Sequence, residues 1–171
     1  MSKVAFNQVG INLKVRDFGR SKDFYDAFGF KKILEFGPDL EEHSKFRGLF
    51  YEIGNTLLEV SEGHMAVKPE VFAAPIRDSK ISLMIYVDSL IQILDICDAH
   101  QIEIHVPPRE FPWGQIGLIV KDPDGFVIAF LSQASEEERR QVQARTSIPL
   151  VRDQPDFSDD HVRVIKARAQ K

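Results

Sequence analysis

A chain of 171 residues, 43% hydrophobic and 28% charged, has the composition of a soluble globular protein and is long enough to bury a sizeable core. Its formal charge of -4, with Lys and Arg scattered along the chain, provides no basic stripe to neutralise a phosphate backbone, so no nucleic-acid partner is expected. No apolar stretch approaches the ~20 residues that cross a bilayer, the one cysteine forms no internal disulfide, and the N-terminus lacks a secretory pattern; the expectation is a cytoplasmic protein with no membrane partner.

Val9, Ile11, Leu13 and Val15 alternate with other residues, the period of a half-buried strand. Asp17 then offers a helix start. Ser21, Phe24, Tyr25 and Phe28 recur at the spacing of one helical face, and Gly29 is placed to end the helix in a left-handed cap. Strand-like runs follow at 32–36, 46–53 and 56–61, the last two separated by the turn signal Gly54-Asn55. The Phe residues at 24, 28 and 30 sit at helix-packing positions. The facing of Phe36, Phe46 and Phe50 is left open by the pattern.

After a Pro-containing linker the same order returns. A strand runs from 81 to 87, Asp88 starts a helix, and Leu90, Ile93, Leu94 and Cys97 share one face of it. Cys97 there reads as a buried structural thiol. Strands follow near 103–106, 117–120 and 126–131, the last two joined by Asp122-Pro-Asp-Gly125. A four-stranded sheet with one helix leaves its other face uncovered, so the repeat predicts two halves of one structure. With helices on the outer faces, the opposite strand parity lines a cavity: Asn12, Lys14, Leu57, Glu59, Ser61, Ser82, Met84, Tyr86, Val127 and Ala129.

The segment KVRDFGRSKDFYDAFGF resembles the opening strand and helix of the vicinal-oxygen-chelate superfamily, which includes glyoxalases, bleomycin-resistance proteins and extradiol dioxygenases. PWGQIGLIVKDPDGFVIAF is similar to its closing strands, and YVDSLIQILDICDAH fits between them, so the resemblance covers roughly residues 4 to 133. It implies an α+β fold of two βαβββ modules in a cupped, barrel-like mixed sheet around a cavity. The modules are expected at about 4–64 and 80–133, joined by a linker at 65–79, with an arm at 134–171.

Enzymes of that superfamily generally hold a divalent metal on His, Glu or Gln side chains inside the cup. Carried over residue by residue, the first-strand ligands fall on Gly10 and Ser82 and the last-strand ligands on Glu59 and Ala129. Only Glu59 is an ordinary ligand, so the resemblance implies neither a metal nor another cofactor. A displaced cluster of Glu59, His64 and His105 is the alternative that would restore a metal.

A carboxylate facing an apolar wall requires a raised pKa, a partner such as Lys14, or a ligand. Glu59 is therefore the candidate general base, with Tyr86 and His105 as catalytic candidates beside it. Asn12, Lys14, Ser61, Ser82, Met84, Phe111, Trp113 and Gln115 are the ligand-binding candidates. Trp113 and Phe111 are suited to stack on a planar compound, although Trp113 in a Pro-Trp-Gly step also suits a core role.

The resemblance ends near Leu131. Residues 135–145 are dense in Glu, Arg and Gln and read as an exposed helix with Ser135 as N-cap. TSIPLVRDQPDF is extended or looping, and a short helix is expected after Ser158 with Val162, Ile165 and Ala169 on one face. The arm is read either as a solvated tail or as a segment packing on the modules or on a second copy through Ile148, Leu150, Val151 and Phe157; a homodimer is expected.

Three functions fit the pattern. The first is a metal-free protein that sequesters a bulky or aromatic small molecule, as bleomycin-resistance proteins do. The second is a metal-independent lyase, isomerase or cyclase using Glu59. The third is a metalloenzyme, lyase or dioxygenase, with displaced ligands.

Overall fold

The computed structural model describes residues 8–40, 45–63, 68–74, 76, 81–111, 113–147 and 149–150. Its elements run β1 (Val9–Lys14), α1 (Phe18–Ala27), β2 (Lys31–Phe36), β3 (Gly48–Ile53), β4 (Thr56–Ser61), α2 (Pro69–Ala73), β5 (Ser82–Val87), α3 (Leu90–Ala99), β6 (Ile104–Glu110), β7 (Ile116–Lys121), β8 (Val127–Ser132) and α4 (Glu136–Thr146). The β-α-β-β-β order thus occurs twice. The short helix α2, in the stretch read as a linker, was not anticipated; Pro69 begins it, where a missing N–H costs nothing.

The strands form two separate four-stranded sheets, ordered β1-β4-β3-β2 and β5-β8-β7-β6, and neither closes into a barrel. In each, the first strand pairs parallel to the last and the other pairs are antiparallel, so both sheets are mixed and the class is α+β. The chain divides into two compact units, residues 1–77 with 123–125, and 78–122 with 126–171.

In the first unit Asp17 caps α1, its side chain accepting from the Arg20 backbone N–H, and Gly29 follows the helix at φ +69°. The helix packs on β4. Phe18 and Tyr25 are buried together with Leu13, Val15, Leu49, Tyr51, Leu58 and Val60, which are the inward residues of β1, β3 and β4 and of the step after β1. Each such side chain contributes roughly 1.5–3 kcal/mol when fully withdrawn from water. The Tyr51 hydroxyl donates to Asp26 at 2.8 Å. Burial, reinforced by Asp26, pushes its pKa up. Lys22 bonds Glu35, and Lys32 bonds Asp26, both at 2.6 Å, fastening α1 to β2.

In the second unit α3 packs on β7 and β8, burying Leu90, Ile93, Leu94 and Cys97 along with Leu83, Ile85, Leu118, Val120, Ile128 and Phe130. Burial, then the neighbouring Asp98 charge, raises the Cys97 thiol to about 11, the behaviour of an inert core group. Strand β6 continues through Pro107 and Pro108 to Glu110, beyond the predicted end at Val106. This is possible because β6 is an edge strand whose pairing with β7 shifts register between Val106 and Arg109, where the missing N–H groups break no ladder.

The helix read as fully exposed is anchored. Ser135 caps α4, its hydroxyl accepting from the Glu138 N–H at 3.2 Å. Val142 is wholly buried, and Arg145 pairs with Asp98 at 2.6 Å and with Asp95, both on α3. Of the apolar anchors expected in the arm, Leu150 is half-buried. Ile148, Val151, Phe157 and the helix expected after Ser158 lie outside the described residues.

Candidate functional site

Helices cover one face of each sheet and leave strand residues of the opposite parity on the other. In the first sheet, register fixes three cross-strand rows on this helix-free face. Gly10 stands opposite Leu57, which faces Glu52, which faces Lys31. Asn12 stands opposite Glu59, which faces Phe50, which faces Leu34. Lys14 stands opposite Ser61, which faces Gly48, which faces Phe36.

The polar groups of the middle and last rows are joined. The Asn12 amide donates to the Glu59 carboxylate at 2.5 Å. Lys14 Nζ donates to Ser61 Oγ at 3.2 Å, and that hydroxyl donates to Asn12 Oδ1 at 3.5 Å. The partner that bonds Glu59 is therefore Asn12, its direct opposite in the parallel register, and not Lys14 one row away. Lys14 still feels the carboxylate: partial burial lowers its pKa, and the Glu59 charge offsets this in part. The apolar flank consists of Phe36 and Phe50, ring centroids 5.9 Å apart, with Leu34 and Leu57. The Phe36 ring lies over Gly48, where a Cβ would come within 2.2 Å of it. Phe46 instead covers Gly63. The strand pattern had left these rings unassigned.

The second sheet repeats the frame with different chemistry. Its rows are Ser82–Val127–Lys121, Met84–Ala129–Ile119–Val106 and Tyr86–Leu131–Gly117–Arg109. Met84 and Tyr86 take the places of Asn12 and Lys14, and Ala129 and Leu131 those of Glu59 and Ser61. The polar cluster is thus confined to the first unit. Gly117 corresponds to Gly48, and again an aromatic ring, that of Phe111, lies on it. Met84 and Tyr86 are 52% and 64% exposed, so this face carries uncovered apolar surface.

Phe111 and Trp113 stack on each other, ring centroids 5.0 Å apart and planes 10° from parallel. Gln115 is buried and accepts from the indole N–H of Trp113 at 2.9 Å. The buried Gln115 side chain is thus bonded to one ring of the stack. Tyr86 and His105 stand on β5 and β6, the opposite edges of the second sheet, about 14 Å apart across three strand spacings. His105 falls at a register irregularity of β6, exposed, with Nδ1 3.3 Å from the Glu103 carbonyl. The structure does not bring these two together.

A metal of the kind that enzymes of the resembled superfamily generally hold would need donors at positions 10, 59, 82 and 129. Gly10 and Ala129 offer none, Ser82 offers a neutral hydroxyl, and the Glu59 carboxylate is engaged by Asn12. Among the described residues no group of three or more His, Cys, Asp and Glu side chains is placed to hold an ion. His64, of the displaced cluster, lies outside the described residues. The residues at those four positions do not fit the metal. Nor is any helix among the described residues long and apolar enough to cross a membrane.

The model of the Glyoxalase/Bleomycin resistance protein/Dioxygenase superfamily matches residues 6–130. A search of curated proteins returned no match. Among solved structures, a glyoxalase/bleomycin resistance protein/dioxygenase from Nocardioides is similar at TM-score 0.58 and 15% identity, covering 79% of this chain and 88% of that one. Lactoylglutathione lyase from Agrobacterium tumefaciens gives 0.52 and 17%, covering 76% and 96%. The fosfomycin resistance protein FosX from Mesorhizobium loti gives 0.51 and 16%, covering 82% and 99%. At these identities the likeness is one of fold.

Proposed function

The chain belongs to the glyoxalase/bleomycin resistance protein/dioxygenase superfamily, and we propose that within it the protein binds a bulky or aromatic small molecule without a metal. The observation that carries this reading is the Asn12–Glu59 pair beside Lys14 and Ser61, set against Phe36 and Phe50 on a sheet face that no helix among the described residues covers. Rings and aliphatic groups provide area for an apolar ligand body, while a few fixed polar groups orient it. A carboxylate favours a ligand with a cationic or strongly donating group, through a charge-assisted bond.

Isothermal titration with planar aromatic cations, in the presence of a chelator, tests the reading. Saturable binding that survives chelation is expected, and Glu59→Gln weakens it roughly tenfold or more, the worth of a hydrogen bond to a charged group. Binding that disappears on chelation and returns with a divalent metal would overturn the metal-free mechanism, and no saturable binding across the panel would sink the ligand class.

A second reading keeps Glu59 as a general base in a metal-independent lyase, isomerase or cyclase, with Lys14 as proton donor. The lowered pKa of Lys14 favours it, since an ammonium that holds its proton less firmly is a better acid. Full turnover retained by Glu59→Gln on an identified substrate would count against that role.

A further inference from the structure

We infer that Arg139, on the helix that follows the family-matched span, is a positioning residue that braces the Phe111–Trp113 stack of the second unit as an aromatic face for a planar ligand; only the class of that ligand rests on the reading above, whose polar pair lies in the first unit. The stack sits on a tight loop. The Phe111 N–H donates to the Gln115 carbonyl at 2.7 Å, and the Gly114 N–H donates back to the Phe111 carbonyl at 2.9 Å. Gly114 has φ +92°, a conformation that side chains rarely adopt. Such a loop is held at its base by β6 and β7 and turns at Gly114, whose carbonyl belongs to the peptide leading into Gln115.

Arg139 meets that turn. Its Nη2 donates to the Gly114 carbonyl, its Nη1 lies 3.2 Å from Glu110 at the end of β6, and its Nε lies 3.6 Å from Glu136 on its own helix. The side chain is 13% exposed, so the guanidinium works where water competes little. The planar fork spans the strand end and the loop tip at once, a geometry that a lysine ammonium does not reproduce.

Three fastenings fix where Arg139 stands. Glu138 accepts the Leu90 N–H at 2.7 Å and so ties the start of α4 to the start of α3. Val142 is wholly buried one turn later, and Arg145 holds Asp95 and Asp98 at the far end. Helix α4 therefore acts as a rigid mount, and Arg139 is its one contact with the carbonyl at the loop tip among the described residues. An aromatic wall binds a planar ligand well only when its rings are already held in place, because ordering them on binding subtracts from affinity.

Trp113 is the only tryptophan in the chain, so fluorescence excited selectively at the red edge, where the three tyrosines do not absorb, reports on this loop alone. Acrylamide quenching is measured on the full chain as wild type, Arg139→Gln, Arg139→Lys and Arg145→Gln, with ethidium titrated in parallel. Arg139→Gln is expected to raise the quenching constant at least twofold, and Arg139→Lys to recover only part of the protection. Arg145→Gln removes the fastening farthest from the loop and leaves Glu138 and Val142 to hold the helix near Arg139, so quenching should rise much less than in Arg139→Gln. Unchanged quenching in Arg139→Gln, or an equal rise in Arg145→Gln, overturns the brace. Ethidium binding should weaken about tenfold in Arg139→Gln and hold in Arg145→Gln; unaltered affinity with raised quenching overturns the link to ligand contact. If wild type binds no ethidium, the ligand reading and that link fall together, and the quenching series still decides the brace.

Discussion

At the scale of single residues, two glycines show how the repeat constrains side chains. Gly48 and Gly117 hold equivalent places in the two sheets, and each lies beneath a ring. They are not equally replaceable. A Cβ at Gly48 meets only the far edge of the Phe36 ring, which can swing away, whereas one at Gly117 comes within 2.7 Å of the Phe130 carbonyl as well as the Leu131 side chain. Gly117→Ala is expected to destabilise by about 1–3 kcal/mol, the cost of overpacking against backbone, and Gly48→Ala by clearly less. Urea denaturation of the two variants side by side checks the ranking. Period-2 reading of the strands placed Asn12, Lys14, Glu59 and Ser61 on one face, and the structure has them there. Which of them bonds Glu59 was not legible, because that depends on the register of β1 against β4, strands whose paired residues Asn12 and Glu59 lie 47 apart in sequence.

At the scale of elements, α3 and α4 depend on each other. Ser89 stands at the N-cap of α3 but its side chain makes no cap bond. The Leu90 N–H is satisfied instead by Glu138, a carboxylate at a helix N-terminus, where the dipole favours negative charge. Glu138→Ala should therefore cost about 1 kcal/mol, in the usual range for a lost cap, while Ser89→Ala costs little. Thermal unfolding of both variants provides the comparison. Local sequence could not show this cap, since it is supplied from another element. The same holds for Arg139: a run of Glu, Arg and Gln with only Val142 and Ala144 apolar has almost no amphipathic signal, so the helix read as solvated. By contrast, the start of α4 at Ser135 and the end of α1 at Gly29 were legible because caps are local chemistry. The continuation of β6 was hidden by Pro107 and Pro108, which end strands in a sheet interior but not at an edge.

At the scale of the whole molecule, three titrating groups shape stability against pH. A hydrogen bond from Arg47 holds the Glu62 carboxyl below its ordinary 4.5. Its folded pKa is depressed, so the stabilisation is present above 4.5 and is lost as pH falls through the folded value. Cys97 behaves in the opposite sense. Raised from 9.0 to about 11, it leaves stability intact below pH 9 and withdraws it as pH climbs toward 11, with the raised Tyr51 hydroxyl acting in the same direction. Denaturation midpoints should therefore form a plateau that falls on both sides. Glu62→Gln flattens the acid limb, and Cys97→Ala reduces the alkaline one; an alkaline limb unchanged in Cys97→Ala would show that the thiol titrates alike in the folded and unfolded states.

The parallel seam between β1 and β4 governs when the polar pair exists. The other seams of the first sheet close between neighbours in the chain, one of them across the two-residue turn at Gly54-Asn55. This seam joins the first strand to the last and encloses the whole module, so its closure carries the largest entropy loss and waits on the hairpins. Among the described residues, strand β1 is also an edge, held on one side only. Its hydrogen-bonded amides should exchange with deuterium faster than those of β3 and β4, and a ligand seated on Glu59 and Asn12 should slow β1 selectively. The pair is then a clasp that forms late in folding and opens early, and a ligand bound there as proposed would hold it closed for longer.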